Sequence, residues 1–196
     1  MSRILVTYAT NSGSTGEVAQ AVAEELNRAG QRTEVREIAA VNDLDGYDAV
    51  VVGAPMIFGW HTAARRFVRD HAAQLAQKKT AYFACAMRLT SVPDAQLPPV
   101  ALTIDPNLAI PPHKPGSLGI KERFTTALHY LKPMLASAPG VQPRSVAFFN
   151  GKLEMYRLKW WQAAFVMVVV QGAPGDYRDW QFIRAWGRSL ADALAD

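Results

Sequence analysis

Residues 4–26 read ILVTYATNSGSTGEVAQAVAEEL, and this stretch decides the fold. The apolar run at residues 4–8 predicts a buried strand, and the amphipathic run after Gly16 predicts a helix. A loop of hydroxyl-bearing residues and glycine joins the two. At such a junction several backbone N–H groups and the positive end of a helix dipole point toward one place, which favours the binding of a phosphate group.

The loop also carries side chains that can donate hydrogen bonds to phosphate oxygens, namely Thr10, Asn11, Ser12, Ser14 and Thr15. It contains no lysine or arginine, so neutral dipoles alone are expected to hold the phosphate. The Gly-Lys-Ser/Thr ending of nucleotide triphosphatases and the Gly-x-Gly-x-x-Gly spacing of dinucleotide sites are both absent. The alternative is an ordinary strand–helix turn in which Ser12 or Ser14 caps the helix.

Residues 10–15, TNSGST, resemble the phosphate loop of the flavodoxin family, which reads Thr/Ser-x-Thr/Ser-Gly-x-Thr after the first strand. The resemblance implies flavin mononucleotide (FMN) as the cofactor, because its single dianionic phosphate suits an uncharged loop that is rich in donors. We therefore expect Gly13 and the five polar residues of the loop to bind this cofactor.

The composition bounds the class of protein. Of 196 residues, 49% are hydrophobic and 19% are charged, which predicts one α/β domain over residues 1–196 with insertions at about 91–118 and 150–178. The single cysteine, Cys85, excludes an intrachain disulfide and gives no support for a metal site, and we expect it to be a small core residue. No signal peptide and no apolar run of ~18 residues are seen, so we expect a cytoplasmic protein.

The rest of the chain alternates strand and helix patterns, as in a parallel sheet covered by helices. Strands are predicted at residues 3–8, 33–38, 48–54, 80–86 and 144–149, and helices at residues 16–29, 63–77, 120–136 and 179–195. We expect Gly30 to end the first helix and Pro133 to disturb the third. The fold class is α/β, a flavodoxin-like three-layer sandwich with a five-stranded parallel sheet in the order 2-1-3-4-5. Sheets of this order bind FMN outside the carboxyl ends of the strands, at the switch point between strands 1 and 3.

Two further loops are expected to meet the phosphate loop at this edge. The expected cofactor-binding residues are Ala54, Pro55, Met56, Phe58, Gly59 and Trp60 after strand 3, and Ala86, Met87 and Arg88 after strand 4. Phe58 and Trp60 are candidates for stacking on the flavin ring, or both pack beneath the loop. Arg88 either stabilises the reduced flavin as a cation or lies in solvent. His61 either hydrogen-bonds to the flavin or caps the next helix.

The insertion near the C-terminus is the second unusual feature. Residues 152–171 begin with basic residues, continue with two tryptophans and end in an apolar run, a pattern typical of a membrane–water interface. The alternatives are a buried helix or strand on the sheet, or a surface for a partner protein. The formal net charge of +4 and the isoelectric point of about 9.3 favour anionic partners. The alternative is that the surplus of lysine and arginine only aids solubility.

The chain resembles the bacterial menaquinone-dependent protoporphyrinogen oxidases, a membrane-associated branch of the flavodoxin superfamily. The likeness is carried by residues 10–15, 52–61, 151–157 and 172–180, and it leaves out the proline-rich insertion. It implies oxidation of protoporphyrinogen IX in haem synthesis, with electrons passing through the flavin to a quinone. It also implies a cytoplasmic protein held peripherally on the inner face of the cell membrane.

Two other functions remain open from the residues. One is an electron carrier that docks on a redox partner, although an acidic rim around the flavin loops would be expected for that role. The other is a flavodoxin-like binding module without flavin, although its phosphate loop would be expected to be broken. We expect no nucleic-acid partner, we assign no catalytic residue, and we leave a homo-oligomer open.

Overall fold

A six-stranded parallel sheet lies at the centre of the computed structural model, which describes residues 1–57, 59–92, 97–153 and 174–195. In chain order, the strands of the described residues are β1 (Arg3–Tyr8), β2 (Arg32–Glu37), β3 (Ala49–Met56), β4 (Lys79–Ala86), β5 (Leu89–Thr90), β6 (Ala101–Ile104), β7 (Ala109–Ile110), β8 (Ser145–Asn150), β9 (Lys152–Leu153) and β10 (Gly175–Asp176). The order in the central sheet is β2-β1-β3-β4-β8-β6. β3 and β4 read as nearly continuous apolar runs because both of their faces are buried.

The predicted order 2-1-3-4-5 is confirmed by β2, β1, β3, β4 and β8, but the predicted count of five strands is wrong. The sixth strand, β6, comes from the proline-rich insertion and pairs in parallel with β8, from Ala101 opposite Ser145 to Ile104 opposite Phe148. This strand is short, lies at the sheet edge and has no fully buried side chain. Its short apolar stretch lies within a proline-rich segment, which favoured an insertion over a strand of the central sheet.

The described residues include six α-helices: α1 (Ser14–Arg28), α2 (Thr62–Asp70), α3 (Ala72–Leu75), α4 (Ile120–Arg123), α5 (Ala127–Ala136) and α6 (Trp180–Ala195). Gly30, at φ +82°, follows the end of α1 as predicted. Two predicted helices are each broken in two. The helix predicted at 120–136 breaks before Thr126, whose hydroxyl accepts the His129 N–H at the start of α5, whereas Pro133 lies inside α5.

The two faces of the sheet bury separate apolar clusters. Val51 and Phe83 face α1 and α6, whereas Val52 and Tyr82 face the side of α2 and α5. This alternation follows the two-residue period of a strand. All of these side chains are almost fully buried, so the sheet forms a rigid base for the loops at its carboxyl edge.

A buried carboxylate joins α1 to α6. Glu25 accepts hydrogen bonds from Arg184 and Arg188, both at 3.1 Å, and it also pairs with Arg28. Burial alone would raise the pKa of Glu25, but the bonds from Arg188 and Arg184 lower it below its usual value. Gly187 allows this close packing, since a Cβ there would lie 3.1 Å from the Cβ of Glu25.

The insertion after β4 folds against the carboxyl edge of the sheet. β5 pairs in parallel with β7, and the Thr90 N–H donates to the Thr125 carbonyl oxygen at 2.8 Å. Glu122 accepts the backbone N–H groups of His113 and Gly119, each at 2.7 Å. These two bonds hold the pKa of Glu122 below its usual range, and the charge of Arg88 adds to the effect. The insertion is thereby tied to the residues that follow β4.

The second insertion is described only at its ends. β9 and β10 pair antiparallel, with Leu153 opposite Gly175 and Lys152 opposite Asp176. Apart from Lys152 and Leu153, the segment 152–171 for which we predicted a membrane contact lies outside the described residues. Within the part of the chain that the structure describes, no helix combines the length and the apolar character needed to cross a membrane.

Candidate functional site

Four loops leave the same edge of the sheet. Tyr8, Gly53 and Phe83 are neighbours in register across β1, β3 and β4, and Ala86 lies opposite Asn150 of β8. The Ala9 N–H donates to the Gly53 carbonyl oxygen at 2.9 Å, which anchors the start of the loop after β1. The loops predicted to bind the cofactor therefore begin side by side, as the order of the strands requires.

The loop at residues 10–15 turns sharply at Gly13. This residue has φ +92°, and its N–H donates to the Thr10 hydroxyl at 2.8 Å. The next helix, α1, begins directly at Ser14, with Gly13 as its N-cap and no side chain capping it. The alternative in which Ser12 or Ser14 serves as a helix cap is therefore wrong.

Two backbone donors of this loop find no acceptor within the described part of the chain. Among the described residues, no hydrogen bond is found from the N–H of Ser14 or of Thr15, whereas the next two N–H groups along α1 donate to the Gly13 carbonyl oxygen. Thr15 is only 1% exposed, so water cannot readily satisfy its N–H. Buried backbone N–H groups are nearly always paired. The donor set therefore fits an anion at the start of α1, and a phosphate group suits it.

The side chain of Thr15 contacts the core beneath the loop. It hydrogen-bonds to the buried thiol of Cys85. Burial raises the pKa of Cys85 to about 12, so the thiol stays protonated at neutral pH. The prediction that Cys85 is a small core residue is confirmed.

A buried arginine lies behind the phosphate loop. The Arg178 side chain is 3% exposed, and its guanidinium donates to the Ser14 carbonyl oxygen at 3.1 Å, to Glu17 at 2.9 Å and to both carboxylate oxygens of Asp176 at 2.7 and 2.5 Å. The guanidinium carbon of Arg178 also lies over the ring of Trp180, 4.4 Å from the ring centre. Sequence reasoning missed this residue, because Arg178 and Ser14 are 164 positions apart.

The loop after β3 forms a tight turn. Met56 and Trp60 form a bridge across it, Gly59 has φ +118°, and the His61 N–H donates to the Pro55 carbonyl oxygen at 3.1 Å. Phe58 lies outside the described residues. Within the described part of this turn Met56 is buried, and Pro55, Ile57 and Gly59 are half-buried.

Trp60 lies in the core. It is 2% exposed, its indole N–H donates to the Phe83 carbonyl oxygen at 3.3 Å, and its ring centre lies 5.3 Å from that of Tyr82. The expectation that Trp60 stacks on a flavin is therefore corrected, because no ring face is exposed. Trp60 packs beneath the loop, whereas for Phe58 the choice between stacking and packing stays open.

His61 connects two of the loops. Its Nδ1 accepts the Ala63 N–H at 3.2 Å, so it caps α2 as one of our alternatives predicted. Nε2 then carries the proton and donates to the Asn11 side-chain oxygen at 3.3 Å. Burial lowers the pKa of His61 from its usual value of 6.5, which favours this neutral ring.

This pKa shift predicts a loss of stability in acid. The folded chain binds a proton at His61 only at a lower pH than the unfolded chain does. The contribution of His61 to the free energy of unfolding is therefore complete above the unfolded pKa of 6.5, and it is lost as the pH falls toward the folded pKa. Melting curves at about pH 7.5 and pH 5.5 should show a smaller drop for His61→Asn, which keeps a capping side chain, than for the natural protein. The same change at the exposed His129 is the control, and an unchanged drop in His61→Asn would contradict the prediction.

The loop after β4 faces the first insertion. Met87 and Arg88 are half-buried, and the Tyr130 hydroxyl donates to the Arg88 carbonyl oxygen at 2.9 Å. A Cβ on Gly151 would lie 3.2 Å from the Met87 sulfur, so the ends of β4 and β8 approach closely. The side chains of Ala54, Met56 and Ala86 are buried in the core, which leaves only their backbone for a ligand.

Comparisons with known proteins bear on the family. The sequence model of the flavodoxin domain family matches residues 5–179. Protoporphyrinogen IX dehydrogenase [quinone] of Escherichia coli K12 is 22% identical over 200 aligned positions, which cover 96% of this chain and 94% of that protein. A flavodoxin from the domain Archaea has a TM-score of 0.53 at 13% identity over 99% of both chains, and flavodoxin 2 of Bacillus cereus has 0.50 at 15% identity over 98% and 97%. These two structures show the fold.

Proposed function

This chain belongs to the flavodoxin domain family, and from that premise we propose that it binds FMN as an oxidoreductase. The electrons come from a reduced substrate of the protoporphyrinogen IX class and pass through the flavin to a quinone. The phosphate of the cofactor lies on the loop at residues 10–15, and its ring lies between the loops after β3 and β4.

The observation that carries this proposal is the pair of unpaired N–H groups at the start of α1. The Thr15 N–H is shielded from water and has no acceptor among the described residues. An anion at this point accepts it together with the Ser14 N–H and interacts favourably with the helix dipole. The loop itself contains no acidic side chain that would oppose a dianion.

The chain's own residues bind and orient in this proposal. FMN supplies the electron-transfer chemistry when it is bound. Pro55, Gly59, Met87 and Arg88 are half-buried residues of the two flanking loops, and in this proposal they line the place of the ring. The contact between His61 and Asn11 keeps the loop after β3 in register with the phosphate loop.

The choice of substrate rests on similarity and charge. The relative in Escherichia coli is named as a protoporphyrinogen IX dehydrogenase acting on a quinone, and it is similar over almost the whole length of both chains. The formal net charge of +4 suits a substrate with propionate carboxylates. Arg88 is a half-buried cation in one of the two loops that flank the proposed place of the ring.

A spectroscopic assay tests the proposal. The purified protein is expected to show the visible spectrum of bound FMN, to bleach when protoporphyrinogen IX is added without oxygen, and to recover its colour when a quinone is added. A full oxidation of the substrate takes about three such cycles, since each flavin accepts two electrons. A yellow protein that responds to neither compound contradicts the enzyme and favours an electron carrier. A protein that binds no FMN after stripping and reconstitution contradicts the proposal altogether.

A further inference from the structure

We propose that Arg178 is a positioning residue for the phosphate loop, which sets the affinity for the cofactor phosphate without touching it. This inference rests on the proposed function for the identity of the ligand. It assigns a role to a side chain that lies outside the loops expected to bind the cofactor.

Arg178 binds the peptide group between Ser14 and Thr15. Its guanidinium donates to the carbonyl oxygen of Ser14 at 3.1 Å. That oxygen belongs to the same amide as the Thr15 N–H, which is the buried donor without an acceptor. A charge-assisted bond to the oxygen fixes the plane of this amide and polarises its N–H, so that the N–H becomes a better donor to an anion.

Most donors of Arg178 are already bound to other groups of the chain. Asp176 binds the guanidinium through two bonds, and Ser14 and Glu17 take two more. Four of the five N–H groups of the side chain are therefore used. The side chain is also almost fully buried, so it acts on a ligand only through the loop.

The fold is expected to tolerate the loss of Arg178. The packing of α1 on α6 already rests on buried apolar side chains and on Glu25 with its arginines. The carboxylates paired with Arg178 are partly exposed, at 54% for Glu17 and 39% for Asp176. Removing the arginine therefore leaves them hydrated rather than buried and unpaired, and the loss of stability is moderate.

Asp176 places the arginine, and it belongs to β10. The pairing of β10 with β9, together with the bond from the Tyr177 N–H to the Gly151 carbonyl oxygen at 3.1 Å, holds this segment against the end of β8. Affinity for the phosphate thus depends on the pairing of β9 with β10. The described ends of the second insertion are in this way coupled to the cofactor loop.

The test compares ligands with and without the phosphate. Arg178→Met should weaken binding of FMN by about tenfold or more, the worth of one hydrogen bond to a charged group, and should leave riboflavin binding within about twofold. Arg178→Lys, which keeps the charge but not the fork, should recover part of the loss. Arg184→Met is the matched control, since Arg184 bonds to Glu24 and Glu25 on α1 but not to the loop.

A second measurement needs no flavin. The backbone amide resonance of Thr15 should shift in Arg178→Met and not in Arg184→Met, and its further shift on titration with inorganic phosphate should be smaller than in the natural protein. If the Thr15 amide responds to Arg178→Met and to phosphate in this way but the natural protein binds no FMN, the proposed function fails and the positioning role stands. Equal losses of FMN and riboflavin, a loss in Arg184→Met of the same size, or an unchanged Thr15 amide would overturn the inference.

Discussion

Aspartate in place of Ser14 is expected to weaken FMN binding by about 100-fold or more while leaving the protein at least as stable as before. Ser14 is the first residue of α1, where a carboxylate interacts favourably with the helix dipole, by about 0.3–1 kcal/mol. The same carboxylate faces the place of the phosphate. Two like unit charges about 4 Å apart repel by ~4 kcal/mol near a protein surface. This repulsion opposes the binding of FMN, whereas the interaction with the helix dipole stabilises the free protein.

The measurement compares FMN with riboflavin, by calorimetry or by quenching of flavin fluorescence. Ser14→Asp should bind riboflavin almost as well as the natural protein does, since riboflavin has no phosphate. Ser14→Asn is the control of equal size without the charge, and it should retain most of the FMN affinity. Full FMN affinity in Ser14→Asp, or an equal loss for both ligands, would show that the phosphate does not lie at the start of α1.

The elements at this site were predictable because their signals are local. The strand β1 was predicted at the residues where it is found, and α1 was predicted to within two residues. The apolar run, the glycine-bearing loop and the amphipathic run each depend on residues only a few positions apart. The cap at Gly30 and the capping role of His61 are local features of the same kind.

The features that sequence reasoning missed depend on distant contacts. The strand β6 exists because β8 offers it an edge, and its own four residues carry a weak signal. Trp60 was correctly placed on the loop after β3, but its direction is decided by the Phe83 carbonyl oxygen in the next strand. The contact between Arg178 and the Ser14 carbonyl oxygen was missed, since residues 176–180 carry no local signal that they lie beside the loop.

Gly53→Ala is expected to lower the free energy of unfolding by about 3 kcal/mol or more, the upper end of overpacking costs. A Cβ on Gly53 would lie 1.9 Å from the outermost ring carbon of Phe83, its neighbour in β4. The ring cannot move aside easily, because Phe83 is fully buried and its centre lies 5.8 Å from that of Phe149 and 6.0 Å from that of Trp186. Urea unfolding curves measure the loss.

The same clash should reach the site, and a second substitution should relieve it. The Gly53 carbonyl oxygen accepts the Ala9 N–H, so a shift of β3 displaces the start of the phosphate loop and lowers FMN affinity as well. Phe83→Leu removes the outer ring atoms, and Gly53→Ala in that background should therefore cost less than it does alone. Gly140→Ala is the matched control, since nothing lies within 4 Å of a Cβ there and its stability should barely change. If the costs of Gly53→Ala and Phe83→Leu simply add, the contact between the Phe83 ring and Gly53 is not what shapes this part of the sheet.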